Sequence, residues 1–165
     1  LLLAYQIVYG FGGLPLIYMG DELALCNDYD YVDDPAHAED NRWVHRPPMD
    51  WAAAERRHVE GTVEHRVWHG LRHAASVRAG LPSMDAAVET EVMDPVNPAV
   101  LVFQRRAATQ TMIGIYNVTP EPQRLPRWVV SLGNWAVDAL TGETPLTDRE
   151  IILEPYQTRW LVQPA

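Results

Sequence analysis

Residues Gly12 to Glu22 read G-G-L-P-L-I-Y-M-G-D-E, an apolar run that ends abruptly in two carboxylates. Some twenty residues on, Asp40 to Pro47 read D-N-R-W-V-H-R-P. An Arg presents a rigid fork of donors suited to carboxylates and to sugar hydroxyls, so Arg42 is a candidate binding residue. Asp21 and Asp40 are candidates for the rim of the same pocket. Each has a plainer explanation. Arg42 in an acidic loop pairs at the surface with Asp40 or Glu39 at little energetic gain, and a strand-end carboxylate often only caps the next turn.

Other clusters carry less. Asp28, Asp30, Asp33, Asp34, Glu39 and Asp40 supply oxygen, but the calcium-loop order with its central Gly is missing, so a solvated loop rim and no metal are expected. His65, His69 and His73 recur at four-residue steps without the H-E-x-x-H zinc pattern and form a solvent-facing stripe. Trp128, Trp135 and Trp160 could form a sugar-stacking platform, although packing in a small β core is the usual role of such residues. All thirteen Lys+Arg residues are Arg, which removes lysine Schiff-base chemistry and a P-loop lysine. Cys26 is alone, so no intrachain disulfide can form. A formal net charge of −9 argues against a nucleic-acid partner.

The elements that must hold these residues divide the chain in two. Leu1 to about Phe11 reads as an apolar helix stopped by Gly12-Gly13, and Leu14 to Met19 as a strand buried on both faces. Residues 20–50 form a long Asp- and Pro-rich loop. Helices follow at Trp51–Arg57 and about 62–79, the second with Val63, Val67, Leu71, Ala74 and Arg78 on one face. This is a piece of alternating β/α architecture. After Pro82 come short β-rich runs: 88–93, 100–105, 111–118, 128–131, 135–140, 150–153 and 158–162. Turn signals separate them, as in an antiparallel sandwich. The expected division is 1–82 and 83–165. The uncharged first twenty residues match a membrane span in length, but Gly10, Gly12, Gly13 and Pro15 break them and no basic flank follows, so membrane insertion is not expected. No signal-peptide pattern is visible, which fits a cytoplasmic protein.

These segments resemble a known family. G-L-P-L-I-Y-M-G-D-E is similar to the eighth barrel strand of α-amylase-family enzymes (glycoside hydrolase family 13). Asn27-Asp28-Tyr29-Asp30-Tyr31, the R-W-x-H-R-P segment, Leu71-Arg72-His73 and Val77-Arg78 resemble amylosucrases in order and spacing. Glu154 to Leu161 resembles the final strand of the family's C-terminal domain. The resemblance implies the last helix–strand–helix part of a (β/α)₈ barrel followed by an antiparallel β-sandwich, in a C-terminal fragment of a longer enzyme. It implies a parent that transfers glucose from sucrose to an α-1,4-glucan and releases fructose, without metal or cofactor. The residue matching Arg42 would close the pocket base, paired with an upstream Asp, and contact the glucosyl unit. Nucleophile and acid/base would lie on earlier strands, so no catalytic residue is expected in this chain, and the upstream barrel portion would be its partner. Sucrose hydrolase is an open alternative. So is a trehalose synthase-type isomerase, to which H-R-P-P-M-D-W at 45–51 bears a faint likeness, and so is a non-catalytic sugar-binding or assembly module.

Overall fold

The computed structural model describes residues 1–145 and 149–165. They fall into two compact units, one comprising Leu1 with residues 16–72 and the other residues 2–15 with 73–165.

The larger unit is built on a five-stranded antiparallel sheet in the order β1-β2-β3-β7-β5. Its strands are β1 (Thr90–Met93), β2 (Val100–Arg106), β3 (Gln110–Asn117), β5 (Val137–Asp138) and β7 (Thr158–Pro164). A two-stranded ribbon pairs β4 (Gln123–Pro126) with β6 (Glu150–Leu153). Alternation along the central strands assigns side chains to two faces. Val100, Val102, Ile113, Ile115 and Leu161 face one way and pack with Leu125, Ile151 and Leu153 of the ribbon and with Val129, Val130, Leu132 and Ala136. Phe103, Arg105, Met112, Tyr116 and Trp160 belong to the opposite face and are equally buried.

What covers that second face is helix α1 (Leu2–Phe11). Phe11 meets Phe103 edge-on with ring centroids 5.4 Å apart. Gly10 is required for the approach, because a Cβ there would fall 2.1 Å from the Tyr116 hydroxyl and 3.2 Å from Trp160. The Trp160 indole N–H donates to that hydroxyl at 2.9 Å, which satisfies both polar groups inside the core. The helix ends at Gly12 and Gly13, both at positive φ. Arginines take up its last carbonyls. Arg78 donates to Tyr9 O and to Gly13 O, and Arg105 Nη1 donates to Phe11 O at 2.6 Å. Cations at a helix C-terminus also oppose its negative dipole end. The result is the expected antiparallel β fold with an apolar helix laid across its outer face.

The smaller unit contains residues 16–19, three short 3₁₀ turns (Asp21–Leu23, Asp30–Asp33 and Asn41–His45), helix α2 (Trp51–Arg56) and the first part of α3 (Val63–Ala79). Asp50 caps α2 by accepting from Ala53 N at 2.8 Å. The Thr62 hydroxyl accepts from His65 N at 3.2 Å, and Arg56 pairs with Glu64 across the two helix ends.

Several expectations are corrected. Residues 14–19 form no ladder, since no described segment runs beside them to supply one, and Leu14 is 91% exposed. Residues 128–131 are not a strand: Arg127–Val129 form a 3₁₀ turn, which lets Val129 and Val130 both turn inward. The strand at 123–126 was hidden in the sequence by Pro122 and Pro126. Along α3, Val67, Leu71 and Ala74 are buried as the pattern requires, but Val63 at the helix start is exposed.

Candidate functional site

The candidate residues sit in the loop from 20 to 50. Gly20, at φ 93°, turns the chain sharply after Met19, and Glu22 accepts from Gly20 N at 2.9 Å. Glu22 is therefore a turn-capping carboxylate. Asp28 N donates to Val44 O at 2.9 Å and holds the two arms of the loop together.

Two neighbouring clefts open between these arms. The larger, about 530 Å³, is lined by Tyr18, Tyr31, His37, Trp43, Arg46 and Asp28 among others. That volume falls within the ~300–1,000 Å³ of small-molecule sites, and aromatic walls with a few polar groups are the usual lining. Trp43 is held from its neighbours: the His37 ring stacks on it at 3.6 Å between centroids, and the Arg46 guanidinium lies 5.3 Å from its centre. His37 in turn lies 3.1 Å from Asp34 Oδ2. The smaller cleft, about 270 Å³, is lined by Asp21 with Asn27, His45 and Cys26. His45 Nδ1 and Asn27 Oδ1 are 3.3 Å apart there.

Arg42 and Asp40 are brought together, and Asp21 stands apart from them in the smaller cleft. Asp40 accepts from Arg42 Nε at 2.8 Å and from Nη2 at 2.6 Å, and its Oδ1 also takes the Arg42 backbone N–H at 3.0 Å. These hydrogen bonds hold the Asp40 carboxyl down at about 2 and raise the Arg42 guanidinium. The pair is solvent-facing, and Arg42 Nη1 has no partner among the described residues, so one edge of the fork remains available. Neither residue lines the two clefts.

Two of the remaining acidic residues, Asp28 and Asp34, do turn chemistry. Asp28 Oδ1 accepts from Asp30 N and Asp34 Oδ1 from Ala36 N, both at 2.9 Å. Among the described residues no group of three or more His, Cys, Asp or Glu side chains converges as a metal site. No helix among them is long and apolar enough to cross a membrane. Trp160 is in the core as expected, whereas Trp128 and Trp135 are each 70% exposed, which corrects the core assignment for those two. What sequence reasoning missed was the aromatic cleft itself. Its signal was present in Tyr18, Tyr31 and Trp43, spaced among acidic residues in one loop.

Residues 90–162 match the family model described as the amylosucrase C-terminal domain. The match lies within the β domain and covers less than half of the chain. Solved structures match nearly the whole chain at low identity, which shows a shared fold: helices first and antiparallel sheets after them. Glucosylglycerate phosphorylase of Escherichia coli (strain K12) is 26% identical over 162 residues, spanning 97% of this chain and 27% of the relative. AmyP in complex with maltose superposes with a TM-score of 0.71 at 16% identity, over 99% of this chain and 34% of that one. A MutB variant in complex with the substrate sucrose gives 0.65 at 16% identity, over 98% and 38%. The chain thus spans about a quarter of this curated relative and about a third of these structures.

Proposed function

We infer that the intact protein is a retaining glucosyltransferase that takes glucose from sucrose to extend an α-1,4-glucan and releases fructose. The observation that carries this reading is the match of residues 90–162 to the amylosucrase C-terminal domain. Residues 1–82 form the end of the catalytic barrel and residues 83–165 the C-terminal domain. Such enzymes use two carboxyl groups about 5 Å apart, one attacking to form a glucosyl-enzyme and the other acting as acid and then base. Both belong to the upstream barrel portion, and this chain supplies binding residues. Arg42, held by Asp40 with one edge of its fork open, positions the glucosyl unit by donating to its hydroxyls. Asp21 and Asp40 form the rim.

A second reading is favoured by the phosphorylase relative: the same glucosyl-enzyme would be resolved by inorganic phosphate, with glucosylglycerate as the donor. The experiment is to give the intact protein sucrose alone, then glucosylglycerate with phosphate, and analyse the products. Fructose with an α-1,4-glucan supports the transferase, equal glucose and fructose a sucrose hydrolase, and glucose 1-phosphate from the second mixture the phosphorylase. Arg42→Ala should sharply lower turnover of whichever donor is used while the fold persists; near-normal turnover would remove Arg42 from the site.

A further inference from the structure

The connection from Arg127 to Val137 presents its tryptophans outward while its aliphatic residues enter the core. Val129, Val130, Leu132 and Ala136 are buried against the sheet, and Trp128 and Trp135 are each 70% exposed. The connection is held from within. Arg127 donates to Val130 O and Leu132 O, and Gly133 N donates to Gln163 Oε1 at 2.8 Å. Trp135 lies flat on Gly133: a Cβ at Gly133 would fall 2.6 Å from three atoms of the indole ring. One ring face therefore rests on backbone and the other is open, so the aromatic surface is ordered before any ligand arrives.

Two further observations define what it would take. From Trp128 to Val137 there is no charged residue, in a chain of net charge −9, and the two adjacent charges are turned inward, Arg127 onto carbonyls and Asp138 into the core beneath Trp160 N. Exposed Ser131 and Asn134 stand in the same stretch and supply hydrogen-bonding groups. A neutral ligand with an apolar ring face and peripheral hydroxyls satisfies all of this, which is the chemistry of a sugar ring. The connection packs on the sheet face opposite the one covered by α1, so the helical side of this unit leaves it uncovered.

We propose that residues 127–137 form a surface binding site for a neutral oligosaccharide, with Trp135 as the stacking platform and Trp128 as its flank. The site is separate from the clefts in the 20–50 loop and does not depend on the sucrose reading. The test is two-dimensional NMR of the indole N–H signals of the 165-residue chain during titration with maltoheptaose, each signal assigned by Trp→Phe variants. Affinity electrophoresis through amylopectin accompanies it. The Trp135 signal should shift saturably and the chain should be retarded in the gel. Trp135→Ala should weaken binding about tenfold and Trp135→Phe much less. Trp160 inside the core serves as the control for folding. No shift at Trp135, or undiminished binding by Trp135→Ala, would overturn the proposal. So would a Trp135-dependent dimer that forms without sugar, which would make this face a contact between copies. A shift at Trp43 alone would overturn it too and place sugar binding in the 20–50 loop, whereas failure of sucrose turnover in the intact protein would leave the Trp135 result standing.

Discussion

Arg105 is the residue whose replacement should cost the β domain most. It is 1% exposed, and its guanidinium donates to Ser83 O at 2.8 Å, Phe11 O at 2.6 Å, Asp85 O at 2.7 Å and the Thr90 hydroxyl. No carboxylate is among these acceptors, and burial with the nearby Arg78 charge pushes the Arg105 guanidinium down from its ordinary value. Three charge-assisted bonds to carbonyls contribute roughly 5–9 kcal/mol at ~1.5–3 each. Against them stands a desolvation cost of several kcal/mol for a buried ion, roughly 3–5 here, leaving a net of about 3 kcal/mol. Arg105→Met keeps the stem volume and loses the bonds, so guanidinium unfolding followed by Trp160 fluorescence should show a loss of about 3 kcal/mol. Because one of the acceptors is the last carbonyl of α1, amide exchange should rise first in that helix. Arg105→Lys, a point charge reaching one or two acceptors, should fall between. A methionine variant within about 0.5 kcal/mol of the parent, with α1 equally protected, would refute the claim that this guanidinium fastens the helix to the sheet.

Two further predictions concern titration. Asp138 is fully buried, accepting from Trp160 N and Leu140 N at 3.1 Å with Arg159 3.5 Å away, yet burial dominates and raises its carboxyl. A raised acid destabilises the folded chain as pH rises from the unfolded value, about 3.9, through the folded one. Asp138→Asn keeps the acceptor without the charge, so it should match the parent at pH 3 and exceed it at pH 7 in thermal melts. The reverse order would show that the Arg159 pairing outweighs desolvation. Asp40 should titrate by carbon-detected NMR near 2 and return toward about 3.9 in Arg42→Ala; an unmoved midpoint would mean the pair does not persist in solution.

Legibility followed the reach of each interaction. Helices α1, α2 and α3 and the strands at 100–106, 110–117, 150–153 and 158–164 were readable because periodicity and turn residues act locally. The apolar run at 14–19 predicts a strand, but a strand is defined by its neighbours, which local composition does not carry. By residue type, Trp128 and Trp135 belong in a core. Trp128 sits in the 3₁₀ turn at 127–129, where Arg127 reaches carbonyls three and five residues away, and Trp135 rests on Gly133, which Gln163 holds from another strand. In the candidate site the Arg42–Asp40 pair was visible as a short spacing. The aromatic cleft was not, because His37, Trp43 and Tyr18 meet only after the loop closes on itself through Asp28 and Val44.

Helix α1 belongs to the β unit although residues 16–72 intervene before the chain rejoins it. In polymer terms the smaller unit is an insertion, a closed excursion from a body to which both of its ends are tied. Pro15 and Ala75 line one cavity, and Arg78 bonds to Gly13 O, so the points of departure and return lie side by side. Contacts such as Arg105 with Phe11, 94 residues apart, must wait for that long loop to close. Replacing the roughly sixty-residue excursion by a bridge of about eight is three halvings, worth about 2 kcal/mol in closure entropy. The β unit with its helix is thus a natural host for circular permutation or loop exchange, with the seam between Pro15 and His73 as the place to cut.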